Sequence, residues 1–368
     1  MKNFLLEPGG RVVFGGGCVR EYLASFAREH GPNVLLVSGV RSGQENGAYD
    51  EVFRSLRPAG KRVVALPGVR PGPDYETVRR GARLAREQRI DLILGVGGGS
   101  VIDCCKAISL AAVCRGDLWA DFWLRQGVVD FQPLPVGLVP TTLGTGELNG
   151  AVVLTNRACG VRRARNYPRC GPRFVLFDPA YTGTLPRAQV VSDGFRILSR
   201  ALELCLAPPA AEVTDALLEA LVGHVVQALE QADRQLLREE TRAGLMWAGA
   251  LVGHDLFQAG KRCGYPCRKA ALQLAMEADR PFTACLAVLQ LAAYRAACKE
   301  QPGKLARLAV RGWGLFPENR GREDLALAGA EALEALLRTL GLPTTPEELG
   351  LAGPEALHRL AEQAVRAG

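Results

Sequence analysis

Residues 91–107, which read DLILGVGGGSVIDCCKA, constrain the fold of this chain more than any other segment. An apolar run that ends at Val96 leads directly into Gly97-Gly98-Gly99-Ser100, and a helical pattern with Asp103 and Lys106 follows. Glycines let backbone N–H groups approach a phosphate without a Cβ in the way, and the positive end of a helix favours an anion. The segment therefore predicts a strand, a diphosphate-binding turn and a helix, and with them a bound nucleotide. A plain strand-to-helix corner, which also uses glycine, is the alternative.

The first half of the chain alternates short apolar runs with helical patterns. Runs such as NVLLVSG, RVVALPG and LPVGLVP are typical of buried strands, and DYETVRRGARLAREQRI has the periodicity of a helix. This alternation predicts a Rossmann-like α/β domain with a parallel sheet and crossover helices. After about Leu185 the apolar residues recur at helical spacing, with only short Gly/Pro breaks. We therefore expect a nucleotide-binding α/β domain over 1–184 and an all-helical domain over 185–368.

Composition and charge exclude several classes of protein. The chain has no apolar run of the ~20 residues that cross a bilayer, and MKNFLLEPGG is not a signal peptide, so we expect a cytoplasmic protein. The net charge is +7, but the basic residues are dispersed among acids, which favours an anionic ligand over nucleic acid. Most of the eleven cysteines lie in apolar patterns, as buried free thiols do. Cys263 and Cys267 are not accompanied by a second pair of ligands at the spacing of a zinc site, so a metal at this pair is not favoured.

Several ordered segments besides the glycine turn form a recognisable set. They are FGGG (14–17), GVRPGPDYET (68–77), PTTLGTGE (140–147), DPAYTGTLP (178–186), MWAGAL (246–251) and LGLPT (340–344). Together they resemble the iron-containing alcohol dehydrogenase family, and most of all its NADPH-dependent butanol dehydrogenase and aldehyde reductase branch. The likeness runs from Phe4 to about Gly368.

The resemblance implies which residues would hold a dinucleotide. The glycine turn would bind its diphosphate, and the threonines after the next strand would lie along its ribose and nicotinamide. The family distinguishes NAD from NADP just after the second strand, where no acid is present to accept a ribose 2′-hydroxyl, so NADP is favoured and NAD stays possible. An ordinary polar loop is the alternative there. The cofactor-binding candidates are Gly39, Arg41, Ser42, Gly97, Gly98, Gly99, Ser100, Asp103, Thr141, Thr142 and Thr145.

The resemblance also implies a metal site, and here the residues differ. Family members bind a divalent metal through an aspartate, a histidine four residues later and two further histidines fourteen residues apart, and the metal polarises the substrate oxygen. Counting along the segments puts Arg196 at the aspartate, Arg200 at the first histidine, and Arg268 and Phe282 at the other two. Arginine does not ligate a metal in a protein and would repel one. We therefore expect no metal.

Two interpretations of the arginines stay open. They could form a site for an anionic substrate, or they could pair with acids such as Asp193, Glu277 or Asp279 in a site that has decayed. His254 is a candidate proton donor, although a lone histidine on an apolar helix is more often structural. Tyr265 and Lys106 are lesser candidates for chemistry.

The expected function is that of an alcohol dehydrogenase or aldehyde reductase-like oxidoreductase. It would bind NADP, lack the family metal, and use fixed arginines to polarise a small, possibly anionic carbonyl or alcohol substrate. One alternative is a nucleotide-binding protein without catalysis, and another is a non-redox lyase on the same scaffold. The resemblance further implies a homo-oligomer.

Overall fold

The computed structural model describes residues 10–40, 46–144, 146–233 and 238–351. Within it the chain divides into two compact units. The first, here called the sheet unit, contains the described part of Glu7–Leu185 together with Gly249–His254. The second, here called the helical unit, contains Pro186–Ala248 and the described part of Asp255–Gly368. Among these residues, no helix is long and apolar enough to cross a membrane.

The sheet unit is built on a parallel sheet of six strands in the order β1-β8-β5-β4-β2-β3. Every residue of β4 and of β5 is buried, because these apolar runs have helices or loops on both faces. The predicted fold class is confirmed. The strands are β1 (Arg11–Phe14), β2 (Asn33–Gly39), β3 (Arg62–Val69), β4 (Leu92–Gly97), β5 (Val136–Pro140), β6 (Ala151–Asn156), β7 (Val161–Asn166) and β8 (Phe174–Phe177).

Crossover helices connect the parallel strands, and their apolar faces pack on the sheet. Side chains of β2, β4 and β8, such as Leu36, Leu94 and Phe174, share one core with Leu23 of the first helix. Each such buried side chain contributes about 1.5–3 kcal/mol relative to exposure. The helices of this unit are α1 (Cys18–Arg28), α2 (Ala48–Leu56), α3 (Tyr75–Glu87) and α4 (Gly99–Ala111).

The register of the sheet brings the ends of three strands together. Ser38 of β2 is level with Val96 of β4, and Gly97 of β4 is level with Pro140 of β5. Because all these strands are parallel, their carboxyl ends lie at one edge of the sheet. The glycine turn after β4 and the threonines after β5 are therefore neighbours.

A two-stranded antiparallel hairpin, β6–β7, was not predicted from the sequence. The β7 segment, VRRARN, is rich in arginine and has no alternation of apolar and polar residues. Its strand conformation depends on pairing with β6 and on tertiary contacts instead. Trp123 Nε1 donates to Arg163 O at 3.1 Å, and Arg165 Nη2 donates to Trp123 O at 2.9 Å.

The described secondary structure of the helical unit is helical, as predicted. The helix that begins after Pro186 is largely buried, because fourteen of its twenty residues lie in the interior. A buried ion pair, Lys261 Nζ to Asp215 Oδ1 at 2.5 Å, lies within the unit. The helices are α5 (Arg187–Leu206), α6 (Glu212–Asp233), α7 (Glu239–Gly253), α8 (Pro266–Glu277), α9 (Phe282–Glu300), α10 (Pro302–Arg311) and α11 (Arg322–Thr339); the end of α7 belongs to the sheet unit.

Candidate functional site

The glycine turn has the geometry that the sequence predicts. β4 ends at Gly97, Gly98 is the N-cap residue, and α4 begins at Gly99. Gly97 has φ +153°, and a Cβ there would lie 2.7 Å from Val101 Cγ2. A Cβ on Gly98 would lie 2.8 Å from Thr142 Oγ1, whereas no atom of the described residues lies within 4 Å of a Cβ on Gly99. The turn is therefore tight on its protein side and open beside Gly99.

Ser100 and Asp103 lie on the first turn of α4, and both are half-buried. The Ser100 hydroxyl accepts a hydrogen bond from Gly72 N at 3.1 Å. A hydroxyl that accepts one bond can still donate its own hydrogen. Ser100 is thus available as a donor at a helix N-terminus, where the backbone dipole also favours an anion.

Two buried hydroxyls at the carboxyl edge of the sheet have no hydrogen-bond partner in the described residues. They are Ser38 Oγ, at the end of β2, and Thr141 Oγ1, directly after β5. Thr141 is fully buried, and its N–H donates to Gly97 O at 3.1 Å. Buried polar groups normally have partners, so two orphaned hydroxyls beside a glycine turn fit a polar ligand there. This observation is consistent with the chemistry of a dinucleotide.

Gly39 is the last residue of β2 and pairs with Val69 of β3. The other residues expected to recognise the ribose, Arg41 and Ser42, lie outside the described residues, and so does Thr145. Lys106 is fully buried on α4, where its Nζ donates to Gly146 O and, at 3.3 Å, to Ala151 O. These bonds identify Lys106 as a support for the segment after β5.

The helical unit brings together the four residues that the sequence count assigned to the positions of the family's metal ligands. Arg196 and Arg200 lie four residues apart on α5, Arg268 lies on α8, and Phe282 begins α9. The guanidinium carbons of Arg196 and Arg268 lie 5.8 Å and 5.7 Å from the centre of the Phe282 ring. The guanidinium carbon of Arg200, a residue that is only 7% exposed, lies 4.7 Å from the centre of the Tyr265 ring. We call these five residues the arginine cluster.

Two acids accompany the arginine cluster. Asp193 Oδ1 accepts from Arg196 Nη1 at 3.1 Å, which is one of the pairings that the second interpretation of the arginines offered. Glu203 is buried, and its Oε1 accepts from Cys267 N at 2.9 Å. Burial raises the pKa of Glu203 to about 7, although Arg268 and Arg200 oppose the shift. Glu277, another acid that the sequence offered as a possible partner, instead accepts from Gln273 Nε2 at 2.6 Å.

Tyr265 is the N-cap residue of α8 and has a left-handed backbone, with φ +51°. Its hydroxyl is buried, and no hydrogen bond connects it to any other described residue. Burial raises the pKa of Tyr265 to about 12, while Arg200 acts in the opposite direction. The side chain therefore stays protonated at neutral pH and is a hydrogen-bond donor.

The donor set of the arginine cluster does not fit a metal ion. A guanidinium presents only N–H donors, and the Phe282 side chain has no lone pair. Across the part of the chain that the structure describes, His, Cys, Asp and Glu form no group of three or more that could hold a metal. Burial also raises the pKa of Cys263 to about 12, which disfavours the thiolate that a metal requires.

His254 directly follows α7 and belongs to the sheet unit. Its N–H donates to Leu251 O at 2.9 Å, and Asn149 Nδ2 donates to the neighbouring Gly253 O at 2.7 Å. The side chain is half-buried. Its role as a proton donor stays a prediction.

Sequence reasoning missed Ser38 and the buried position of Glu203. Ser38 is the one hydroxyl in the apolar strand NVLLVSG, and Glu203 is the one charge in the apolar segment ALELCL. A polar residue inside an otherwise apolar run was the available signal in both cases.

Comparisons with known proteins identify the family of this chain. A family model described as "Iron-containing alcohol dehydrogenase" matches residues 9–179. A second, "Fe-containing alcohol dehydrogenase family, C-terminal", matches residues 190–368. The two models together span nearly the whole chain.

Individual relatives match over their length as well. The probable NADH-dependent butanol dehydrogenase 1 of Bacillus subtilis is 30% identical over 370 residues, which cover 100% of this chain and 95% of the relative. The NADPH-dependent aldehyde reductase YqhD of Escherichia coli is 29% identical over 374 residues, with 98% and 94% covered. The crystal structure of NADH-dependent butanol dehydrogenase A from Thermotoga maritima superimposes with a TM-score of 0.91 at 27% identity, covering 99% of this chain and 91% of that one. By its sequence and its fold, the chain belongs to the iron-containing alcohol dehydrogenase family.

Proposed function

We propose that this chain is an NAD(P)-binding oxidoreductase of the alcohol dehydrogenase and aldehyde reductase type in which arginines replace the family's metal ion. The observation that carries the proposal is the convergence of Arg196 and Arg268 on Phe282, with Arg200 stacked on Tyr265. These residues come from three helices and meet where the family count expects four metal ligands. If the count along the sequence had missed the family's metal positions, these four residues would have no reason to lie together.

The sheet unit supports the dinucleotide part of the proposal. The backbone N–H groups at the start of α4 would hold the diphosphate, and the hydroxyls of Ser100, Ser38 and Thr141 would donate to the bound molecule. When bound, the dinucleotide supplies the hydride that reduces a carbonyl. The polar atoms without partners at this edge of the sheet are the groups that such a ligand would satisfy.

The arginine cluster supports activation of the substrate without a metal. Arg200 and Arg268 would hold the substrate oxygen and stabilise the negative charge that develops on it during reduction. Fixed, partly buried guanidinium groups are effective in this role because they need little reorganisation at the moment of reaction. The same charges would favour an anionic carbonyl or alcohol substrate. His254 remains a proposed proton donor.

We infer a preference for NADP over NAD. The segment after Gly39 has no acid for a ribose 2′-hydroxyl, and Arg41 and Ser42 are suited to a 2′-phosphate. The relatives differ in this property: the Bacillus subtilis relative is named as NADH-dependent and the Escherichia coli relative as NADPH-dependent. Titrations with NADPH and NADH test the inference, since Arg41→Ala should weaken NADPH binding ~10-fold and leave NADH binding unchanged. Equal affinity of the parent chain for both would contradict it.

A second function, nucleotide binding without turnover, is favoured by the pairing of Arg196 with Asp193. An arginine that is neutralised within its own helix can be structural. Self-association and a cytoplasmic location stay predictions.

One set of measurements tests the proposed function. Purified protein is assayed for bound metal, titrated with NADPH, and supplied with a panel of neutral, carboxylated and phosphorylated aldehydes. We expect no stoichiometric metal, saturable NADPH binding, and turnover that Arg200→Ala abolishes while NADPH binding is retained. Stoichiometric metal would contradict the role of the arginines. Binding without turnover of any aldehyde would support the second function instead.

A further inference from the structure

We propose that a groove beside α3 is a second ligand-binding site, which takes a small organic phosphate. The groove lies within the sheet unit and has a volume of about 320 Å³. This volume is at the lower end of the range of small-molecule sites, roughly 300–1,000 Å³. The walls of the groove are one face of α3, the last residue of α4 and the segment that follows α4. The site does not depend on the proposed oxidoreductase function.

The first support is a row of arginines on α3. Arg79, Arg83 and Arg86 follow one another at spacings of four and three residues, so they share one face of the helix. All three line the groove. Asp117 is the one acid among the described residues that line it, so the lining carries an excess of two positive charges. A phosphate monoester is a dianion at slightly alkaline pH and matches this excess.

The second support is that these guanidinium groups keep donors for a ligand. Arg83 makes no hydrogen bond and no ion pair with any described residue. Within the same part of the chain, Arg86 uses only Nη1, which donates to two backbone carbonyls at the end of α4 at 2.9 and 3.4 Å. Arg79 is paired with Glu76, but both side chains are more than half exposed, and such pairs are weak. The planar fork of an arginine can bind two oxygens of one phosphate.

The acid of the groove is bonded to neutral groups. The Tyr75 hydroxyl donates to Asp117 Oδ2 at 2.8 Å, and Ala120 N donates to Asp117 Oδ1 at 2.7 Å. The Tyr75 and Trp119 rings are also in contact, with their centroids 5.9 Å apart. These contacts attach the segment after α4 to the start of α3. The wall of the groove is therefore formed before a ligand binds, which limits the entropy that is lost on binding.

The groove also has an apolar part. Ala82, Ala111 and Leu118 are buried residues that line it. Inorganic phosphate would leave this apolar surface against water, whereas the carbon skeleton of a phosphate ester would cover it. A compact organic phosphate is therefore a better match than the inorganic ion.

The groove is separate from the glycine turn. It reaches α4 at Ala111, the last residue of that helix, whereas the turn is at Gly99, the first. Twelve residues of helix between them correspond to about 18 Å. A dinucleotide at the turn and a phosphate beside Arg86 would therefore bind at the same time.

Isothermal titration calorimetry on the full chain tests the groove. The probes are phenyl phosphate and inorganic phosphate, at constant ionic strength and slightly alkaline pH, with and without saturating NADP. We expect phenyl phosphate to bind at one site per chain when NADP is present. It should bind ~10-fold more tightly than inorganic phosphate, because its ring covers the apolar part of the groove.

Variants on α3 make the test specific. Arg83→Gln changes an exposed side chain, so the chain should fold, and phenyl phosphate binding should weaken ~10-fold or more. Arg83→Lys keeps the charge but loses the planar fork, and should also bind phenyl phosphate more weakly than the parent chain. Arg80→Gln is the matched control, because Arg80 is an exposed arginine of the same helix that does not line the groove. It should bind phenyl phosphate like the parent chain.

Several results would overturn the groove as a site. These are no saturable binding of phenyl phosphate, inorganic phosphate binding at least as tightly, equal affinities of Arg83→Gln and Arg80→Gln, or loss of phenyl phosphate binding when NADP is added. NADPH binding and aldehyde turnover without phenyl phosphate binding would reject the groove and leave the proposed oxidoreductase. Phenyl phosphate binding that depends on Arg83, without any NADPH binding, would retain the groove and reject the proposed function.

Discussion

The Arg200 guanidinium carbon lies 4.7 Å from the centre of the Tyr265 ring, within the helical unit. Arg200 comes from the middle of α5, and Tyr265 is the residue that starts α8. Their contact fixes a cation against an aromatic face beside a buried carboxyl, Glu203. The guanidinium groups in this environment offer only N–H donors, which do not suit a metal ion.

Filling the space beside the glycine turn should weaken dinucleotide binding without unfolding the chain. Gly99→Val introduces a side chain where none of the described residues has an atom within 4 Å of the Cβ. The fold should therefore be retained, while the space beside the helix N-terminus is filled. We expect NADPH affinity to fall ~10-fold or more, as measured by fluorescence titration, because backbone N–H groups at a helix start then cannot be reached by a phosphate. Gly303→Val, in the first turn of α10, is the control and should bind NADPH normally. Normal NADPH binding by Gly99→Val would argue against a diphosphate at this turn.

Removal of the buried Thr141 hydroxyl should have opposite effects on the free energy of unfolding and on NADPH binding. Thr141→Val removes a buried hydroxyl that has no hydrogen-bond partner among the described residues, so the free energy of unfolding of the ligand-free chain should rise by about 1 kcal/mol. NADPH binding should weaken, because the donor that the dinucleotide would use is gone. Urea denaturation and NADPH titration measure the two effects.

Thr182→Val provides the comparison for Thr141→Val. Thr182 is equally buried, but its hydroxyl donates to Pro179 O at 2.6 Å. Its removal should lower the free energy of unfolding by about 1 kcal/mol and leave NADPH affinity unchanged. If both variants were destabilised alike, Thr141 would have a partner of its own.

Glu203 predicts a pH dependence of stability. Its pKa is about 7 in the folded chain because of burial, against the ordinary 4.5. The folded state therefore binds the Glu203 proton more tightly than the unfolded state does. The contribution of this proton to the free energy of unfolding is fully present below pH 4.5 and is lost as the pH rises to about 7. The loss is about 3 kcal/mol at 1.36 kcal/mol per pKa unit. Glu203→Gln, which does not titrate, should lack this decline when unfolding is followed by urea across that range; parallel curves for both proteins would contradict the assignment.

The convergence of the arginine cluster predicts that a metal site can be rebuilt. The substitutions Arg196→Asp, Arg200→His, Arg268→His and Phe282→His together supply one carboxylate and three imidazoles, which suit Zn²⁺. We expect the combined variant to bind about one Zn²⁺ per chain. The variant that carries only the two changes on α5 is the control and should bind far more weakly. No zinc binding by the combined variant would mean that these four positions do not form the family's metal site.

Much of the sheet unit was predictable because its signals are local. The strand β4 and the turn after it are one uninterrupted segment, so the apolar run, Gly97 and the start of α4 could all be inferred from adjacent residues. The hairpin strand β7 was not predictable, since VRRARN becomes a strand only by pairing with β6. Its arginines give no periodic pattern from which a strand could be recognised.

The arginine cluster was predictable only in part. Arg196 and Arg200 share a helix face by their spacing of four residues, but nothing in the sequence between α5 and α8 indicates that Tyr265 stacks on Arg200. The raised pKa of Glu203 likewise arises from burial by tertiary packing. Contacts between distant segments decide both features, and a helical pattern alone contains no information about them.

The buried Lys106 couples two parts of the chain that a dinucleotide would need at once. Its Nζ binds the carbonyls of Gly146 and Ala151, while its own helix, α4, starts at the glycine turn. Lys106 thereby links the segment after β5 to α4, whose N-terminal end is proposed to hold the phosphate, before any ligand binds. A ligand would meet a preorganised surface, and less conformational entropy would be lost when it binds.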